Sequence, residues 1–266
     1  VKRIGISGAG GRMGVALLRA LRESDGFVPG GALVRPGDAR AGRRVDDAFP
    51  DLRFTDCPET VVAESDVIVD FSTPEATDAV LTACMAADRA LVIGTTGLSA
   101  AQKAAVREAG QHIAVVMAPN TSLGVNLLIS LVGQAAAALG EDWDCEIVEA
   151  HHRYKADAPS GTALRLGEAV AAARGCSLAE AAVHARHGQT GPRRSGAIGF
   201  STVRGGDIAG EHTVMFAGDG ERLELAHRAT DRTIFARGAL RAAAWVVEQP
   251  PGFYTMQDVL GIGGSH

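Results

Sequence analysis

The sequence predicts an α/β protein in two parts: a doubly wound parallel sheet from the first half of the chain, and a second α+β domain containing a mainly antiparallel sheet. Three observations carry this reading. Through residue 120, apolar strand-like runs alternate with helix-like runs at the spacing of βαβ units. After Ser122 that rhythm gives way to one long apolar helix pattern, and from Ser195 to Ala229 to short alternating strands separated by Gly-rich turns. Finally, the run from Thr233 reads as a helix that returns to the first domain. The expected domain bounds are 1–121 with 231–266, and 122–230.

Taken in order, "RIGISG" is a short apolar strand and "RMGVALLRALRES" a helix; "DVIVDFS", "ALVIGTT" and "IAVVMAPN" are further strands, separated by the helical runs "PEATDAVLTACMAAD" and "SAAQKAAVREAG". Each strand ends in a small or polar turn, where ligands of doubly wound sheets bind. In the second part, "LGVNLLISLVGQAAAALG" is a helix, "CEIVEA" a strand and "TALRLGEAVAAARG" a helix; "GAIGFSTVRGG", "EHTVMFAGDG" and "ERLELAHRA" supply the sheet.

Composition narrows the class. Apolar residues make up 46% and charged residues 21%, which excludes a disordered chain, and no apolar run has the length of a membrane span. The first residues enter a strand without a signal-like apolar region, so a cytoplasmic location is expected, with no membrane partner. Cys57, Cys84, Cys145 and Cys176 lack metal or disulfide spacing, so neither a bridge nor a metal is expected. A net charge of -5 offers no global attraction to nucleic acid, leaving a small molecule as the expected partner. Among 26 basic residues the only lysines are Lys2, Lys103 and Lys155, so an ammonium at Lys155 stands against a bias toward arginine.

Two segments carry chemistry. "GAGGRMG", with glycines at 8, 11 and 14, lies between the first strand and first helix, where backbone amides and a helix N-terminus can meet a pyrophosphate; Met13 takes the place of the motif's last glycine. Alone, such a turn is also compatible with a plain tight turn. About 20 residues further on, where an acid often binds ribose hydroxyls, stand Val34 and then Arg35, a candidate for a 2′-phosphate or a solvated loop arginine. The second segment is "EAHHRYKADAPSGTA". His151 and His152 end a strand beside Lys155, an arrangement suited to proton delivery and anion binding; a structural histidine or a metal ligand are the other readings. Ser160, Gly161 and Thr162 open a helix whose amides suit a carboxylate or an ordinary cap.

Together, "GAGGRMG", "DFSTPEAT", "VIGTTG", "EAHHRYKADAPSGTA" and "GEHTVMFAGDGERLELAHRA" make the chain resemble, nearly end to end, the 4-hydroxy-tetrahydrodipicolinate reductase family of the diaminopimelate and lysine pathway. The resemblance implies a Rossmann-like dinucleotide-binding domain and a substrate-binding and oligomerisation domain, a homotetramer formed through the second sheets, and use of NADH or NADPH. It implies that Gly8, Ala9, Gly10, Gly11, Arg12 and Met13 bind the dinucleotide. Gly94, Thr95 and Thr96, with Ala118, Pro119, Asn120 and Thr121, would line the nicotinamide side. His151 would donate the proton, assisted by Lys155, while His152, Gly161 and Thr162 hold the substrate carboxylates. The chain departs from the family pattern at Val34, Thr73 and Thr121. Val34 with Arg35 points to NADPH as the preferred cofactor over NADH. Because carboxylate clamps and cofactor fall on different domains, closure is expected to bring them together. The rival readings are a non-catalytic dinucleotide-binding regulator and a reductase of another imine or keto acid.

Overall fold

The computed structural model describes residues 1–262; the last four residues of the 231–266 segment lie outside them. The chain runs β1 (Lys2–Ser7), α1 (Arg12–Arg22), β2 (Phe27–Leu33), β3 (Arg44–Asp46), β4 (Phe49–Thr55), α2 (Pro58–Ala63), β5 (Val67–Asp70), α3 (Pro74–Ala87), β6 (Ala90–Ile93), α4 (Ala100–Ala109) and β7 (Ala114–Met117). There follow α5 (Leu123–Leu139), β8 (Asp144–His151), α6 (Gly161–Ala173), α7 (Leu178–Ala181), β9 (Ala182–Val183), β10 (Ile198–Arg204), β11 (Gly210–Gly218) and β12 (Glu221–Ala229). The described chain closes with α8 (Thr233–Val246), β13 (Gly252–Tyr254) and α9 (Met256–Leu260).

Two compact units result. Val1–Leu123 and the chain from Thr233 onward form the first; Gly124–Arg232 form the second. In the first unit eight strands lie in the order β13-β7-β6-β5-β1-β2-β4-β3, parallel except for β3 against β4. The strand order reverses between β1 and β5, the switch point at which doubly wound sheets open a ligand crevice.

Apolar residues pack both faces of this sheet. Ile4, Ile6, Val67, Val69, Val92 and Val116 meet α1 and the alanines of α8 on one side, while Leu33, Ile68, Leu91, Ile93 and Val115 meet Val61, Val80 and Val106 on the other. Continuous apolar runs are what burial on two faces demands. β2 reads poorly as a strand because Pro29, Gly30 and Gly31 interrupt it. The structure supplies the reason for both glycines. A Cβ on Gly30 would stand 2.5 Å from the Glu64 carbonyl oxygen, and one on Gly31 would stand 2.8 Å from Val61, so bare backbone lets α2 press against the strand.

In the second unit five strands lie in the order β12-β11-β8-β10-β9. The Gly-punctuated hairpin β11–β12 and the β11–β8 pair are antiparallel, whereas β10 runs parallel to β8 and β9. The sheet is mixed because the chain leaves β8 through α6, a crossover that returns β10 in the same direction. Ile147, Ile198, Phe200, Val214 and Phe216 face a core closed by α5 and α6.

Helix α8 fits the first unit only through small residues. A Cβ on Gly238 would fall 1.8 Å from the carbonyl oxygen of Thr121, against rigid backbone, whereas one on Gly133 in α5 meets nothing closer than 3.9 Å. We expect Gly238→Ala to lower stability by about 1–3 kcal/mol. Gly133→Ala should be neutral or raise it by up to about 1 kcal/mol through helix propensity. Urea midpoints of the two variants check this; equal midpoints would mean that α8 shifts freely.

Candidate functional site

The turns at the carboxyl ends of β1, β2, β5, β6 and β7 extend the sheet's hydrogen bonding past the strands. Ala9 donates to Leu33, Phe71 to Ser7, Gly94 to Asp70 and Ala118 to Ile93, at 2.8–3.1 Å between backbone N and O. Gly8, Ala9, Gly10, Gly11, Arg12, Met13, Arg35, Gly94, Thr95, Thr96, Ala118, Pro119, Asn120 and Thr121 therefore gather along one edge of the first unit.

The Gly-rich turn is a cradle that side chains would fill. Gly8 has φ +77°, and a Cβ there would stand 2.2 Å from the Phe71 carbonyl oxygen; one on Gly14 would stand 2.4 Å from the Gly8 carbonyl oxygen, so α1 starts tightly against the turn. Gly11 caps α1 without a side-chain hydrogen bond, and no acid sits in the first turn. The turn thus packs tightly against its own backbone and leads into the positive N-terminal end of α1, which suits phosphate oxygens. Those features fit a dinucleotide.

Behind the edge sits Asp70, fully buried at the end of β5. It accepts hydrogen bonds from Ser72 Oγ (2.5 Å), Thr77 Oγ1 (2.5 Å) and Thr95 Oγ1 (2.9 Å), tying together β5, α3 and the turn after β6. Thr95 is consequently buried with its hydroxyl engaged, while Thr96 is exposed. Thr121 is also buried, donating to the Phe235 carbonyl (2.7 Å).

In the second unit a buried carboxylate organises the other cluster. The inward face of β8 carries Cys145, Ile147 and then Glu149, whose side chain is 1% exposed. Glu149 takes part in five hydrogen bonds: His151 Nδ1 at 2.5 Å, the Ser160 amide at 3.0 Å, Arg204 Nη1 and Nη2 at 2.8 and 2.9 Å, and Thr202 Oγ1 at 3.3 Å. Burial, the largest influence, would push its pKa up; the Arg204, His151 and Ser160 hydrogen bonds outweigh it and hold Glu149 below the ordinary carboxylate range. With Nδ1 turned to Glu149, the imidazole of His151 presents Nε2 on its other side, where a Cβ on residue 210 would stand 3.1 Å away and crowd the ring. Burial lowers the His151 pKa, Glu149 raises it, and Lys155 with Arg204 lower it further; the net direction is down.

Beyond β8 the chain is held by the turn between β10 and β11. Gly205 donates to the His151 carbonyl, and the His152 amide donates to Ile208 (2.8 Å). Lys155 Nζ donates to Asp157 at 2.8 Å. Arg232 Nη2 donates to His152 Nε2 (3.2 Å), which places the ring hydrogen on Nδ1; that nitrogen is buried with no hydrogen-bond partner among the described residues. Ser160 caps α6 by accepting from the Ala163 amide (3.2 Å) and shares a 3.0 Å hydrogen bond with His212 Nε2. His151 and His212 meet edge to face, 5.1 Å between ring centres. The segment thus brings His151, His152, Lys155, Ser160, Gly161 and Thr162 into one unit, with Ser160 buried and Gly161 exposed at the helix start.

The family model described as "Dihydrodipicolinate reductase, N-terminus" matches residues 2–121, and "Dihydrodipicolinate reductase, C-terminus" matches 124–260. The chain belongs to the dihydrodipicolinate reductase family. It is similar to the 4-hydroxy-tetrahydrodipicolinate reductase of Halorhodospira halophila, 52% identical over 97% of this chain and 98% of the relative, and to that of Acinetobacter baumannii, 52% identical over 98% and 96%. In fold it is similar to a dipicolinate-bound dihydrodipicolinate reductase from Paenisporosarcina sp. TG-14, with TM-score 0.77, 22% identity, and coverage of 96% and 97%. The C-terminal family model continues past Arg232, where this member's chain returns to its first unit.

Sequence reasoning on this reductase overlooked Glu149, Arg204, His212 and Asp70. A signal existed for two of them. In "CEIVEAH" and "GEHTVMF" strict alternation puts Glu149 and His212 at inward, otherwise apolar positions, where a polar residue demands a partner. Arg204 and Asp70 carried no such mark, since their partners come from distant segments.

His212 generates a pH prediction. It is 4% exposed, and burial, reinforced by the neighbouring His151 imidazole, pushes its pKa down to about 4 from the ordinary 6.5. The unfolded chain therefore binds this proton where the native state does not, so stability falls as pH drops from about 6.5 to about 4, by up to about 3 kcal/mol, and is fully retained above that window. In His212→Gln that share of the loss should vanish. Urea titrations at pH 7.5 and 4.5 measure it; an identical pH-dependent loss in variant and parent would refute the assignment.

Proposed function

We infer that the chain is an NAD(P)H-dependent reductase of 4-hydroxy-tetrahydrodipicolinate in the diaminopimelate route to lysine, with His151 as the proton donor. The reading is supported by family membership along the whole chain and by one geometric observation: a histidine at a strand end, held through Nδ1 by a buried, arginine-paired glutamate, one turn before a lysine.

The substrate is a ring dicarboxylate with a C=N bond and a 4-hydroxyl; loss of that hydroxyl as water leaves an electron-poor C=C–C=N system. Reduction needs a hydride at one carbon and a proton at the next. When bound, a reduced nicotinamide supplies the hydride. Gly8, Ala9, Gly10, Gly11, Arg12 and Met13 would hold its dinucleotide phosphates, and Gly94, Thr96, Ala118, Pro119 and Asn120 would line the nicotinamide side, with Thr95 and Thr121 fixed behind them by their hydrogen bonds. The Lys155 ammonium, the His152 Nδ1–H and the Gly161 and Thr162 amides hold the carboxylates, while Ser160 fixes the helix start that presents those amides.

His151 is depressed in pKa, so its imidazole is neutral near pH 7 before substrate arrives. Two incoming carboxylates favour the imidazolium, and Glu149 stabilises the charge that forms at Nδ1 while Nε2 delivers the proton. NADPH is the preferred cofactor and NADH the weaker one, because Val34 removes the acid that would bind ribose hydroxyls and repel a 2′-phosphate, and Arg35 follows it. We assign the enzyme to the cytoplasm, in keeping with its free Cys57, Cys84, Cys145 and Cys176. The outward row of the second sheet, including Val148, Thr213 and Met215, is the surface we assign to homotetramer contacts.

His151→Gln should lower kcat by about 10²–10⁴-fold with cofactor affinity nearly unchanged. An assay with synthase-generated substrate measures this, and near-parental kcat in a folded variant would remove His151 from the role. Pyridine-2,6-dicarboxylate, a planar mimic, should compete with substrate. Its inhibition constant should rise about tenfold or more in Lys155→Ala through loss of a charge-assisted contact; an unchanged constant would rule that contact out.

A further inference from the structure

The loop between β2 and β3 sets a second arginine beside the Gly-rich turn, and holds it more firmly than Arg35. Arg40 donates from Nε and Nη2 to the two oxygens of Asp38, both at 2.8 Å, and from Nη1 to the Gly10 carbonyl at 2.7 Å. Its guanidinium lies over the Phe54 ring, 5.6 Å from the ring centre. Asp38 is itself fixed: its side chain is 7% exposed and also accepts from the Arg40 amide at 3.0 Å. The loop is bonded to β4 through Gly42 to Phe54 and Phe54 to Arg43, at 2.8 and 3.0 Å.

Arg35 contrasts with this. Its side chain is 86% exposed and has one ion pair, at 3.7 Å to Asp38. Ordering such a side chain on a ligand costs conformational entropy that a prepositioned one has already lost. Arg40 also stands in the right place. A Cβ on Gly10 would fall 2.1 Å from Arg40 Nη1, so the guanidinium lies directly against the turn.

We propose that Arg40 is a specificity-determining residue of the nucleotide site, binding the 2′-phosphate of the adenosine ribose and so favouring NADPH. This rests on the reading that the Gly8–Met13 turn holds a dinucleotide. A guanidinium carries five N–H groups, and three are used by Asp38 and Gly10, leaving two for phosphate oxygens on a side chain that is 44% exposed. Asp38 opposes a phosphate electrostatically, yet it is bound side-on to the Nε and Nη2 hydrogens, so direct contact with the remaining donors outweighs it. The same pairing occupies the nearest loop carboxylate and keeps it from replacing the acid missing at Val34.

Calorimetric titration of the full chain with adenosine 2′,5′-bisphosphate and with 5′-AMP tests the proposal, since the two probes differ only in the 2′-phosphate. Arg40→Ala should weaken the bisphosphate about tenfold or more while leaving 5′-AMP within about twofold, and Arg40→Lys, which keeps the cation without the fork, should fall between. Arg35→Ala should have the smaller effect. Retained 5′-AMP binding shows that the turn is intact in each variant. Bisphosphate binding unchanged in Arg40→Ala but lost in Arg35→Ala would overturn the proposal and leave the nucleotide site standing. Failure of the unaltered chain to bind NADPH or either probe would instead remove the nucleotide reading and the proposal with it.

Discussion

The second unit depends on one buried anion. Carrying a carboxylate out of water costs several kcal/mol unless charge and hydrogen bonds replace the solvent, and Glu149 obtains both from Arg204, with further donors from the Ser160 amide, Thr202 and His151. Those donors belong to β8, β10 and the start of α6, so satisfying the charge also fixes three elements relative to one another. Among those donors His151 is held through Nδ1, which leaves Nε2 on the other side of its ring. Its orientation is therefore a by-product of solving a solvation problem.

The first unit uses the same device with weaker donors. Asp70 collects hydroxyls from Ser72, Thr77 and Thr95 rather than an arginine, and thereby ties β5, α3 and the turn after β6 together without placing a cation beside them. Cation and anion are paired further out, at Arg40 and Asp38, on the loop that borders the Gly-rich turn. A paired arginine thus stands at the β2–β3 loop beside the Gly-rich turn, and a hydroxyl network supports the turns after β5 and β6.

The electrostatics of the histidine cluster follow from crowding. His151 is pulled down by burial and by Lys155 and Arg204, and up by Glu149; His212, deeper and without a carboxylate partner of its own, is pushed further down. A carboxylate partner separates a ring that can be charged by an arriving anion from one that stays neutral. His212 accordingly serves as an edge against His151 and a partner for Ser160.

By itself the sequence determined the element rhythm of both units, the Gly-rich turn, and the gathering of His151, His152, Lys155 and the Ser160–Thr162 helix start, because period and short-range spacing are local properties. It left β2, β3, β4 and α2 unassigned; β2 was hidden because Gly30 and Gly31 serve the approach of α2 and not strand propensity. Tertiary structure alone decided that Arg204, 55 residues away, neutralises Glu149; that Asp70 binds Thr95 across 25 residues; and that Arg40 rather than Arg35 leans on Gly10. Each is a pairing forced by burial of a charge, and burial is set by how distant elements pack, which no local spacing records.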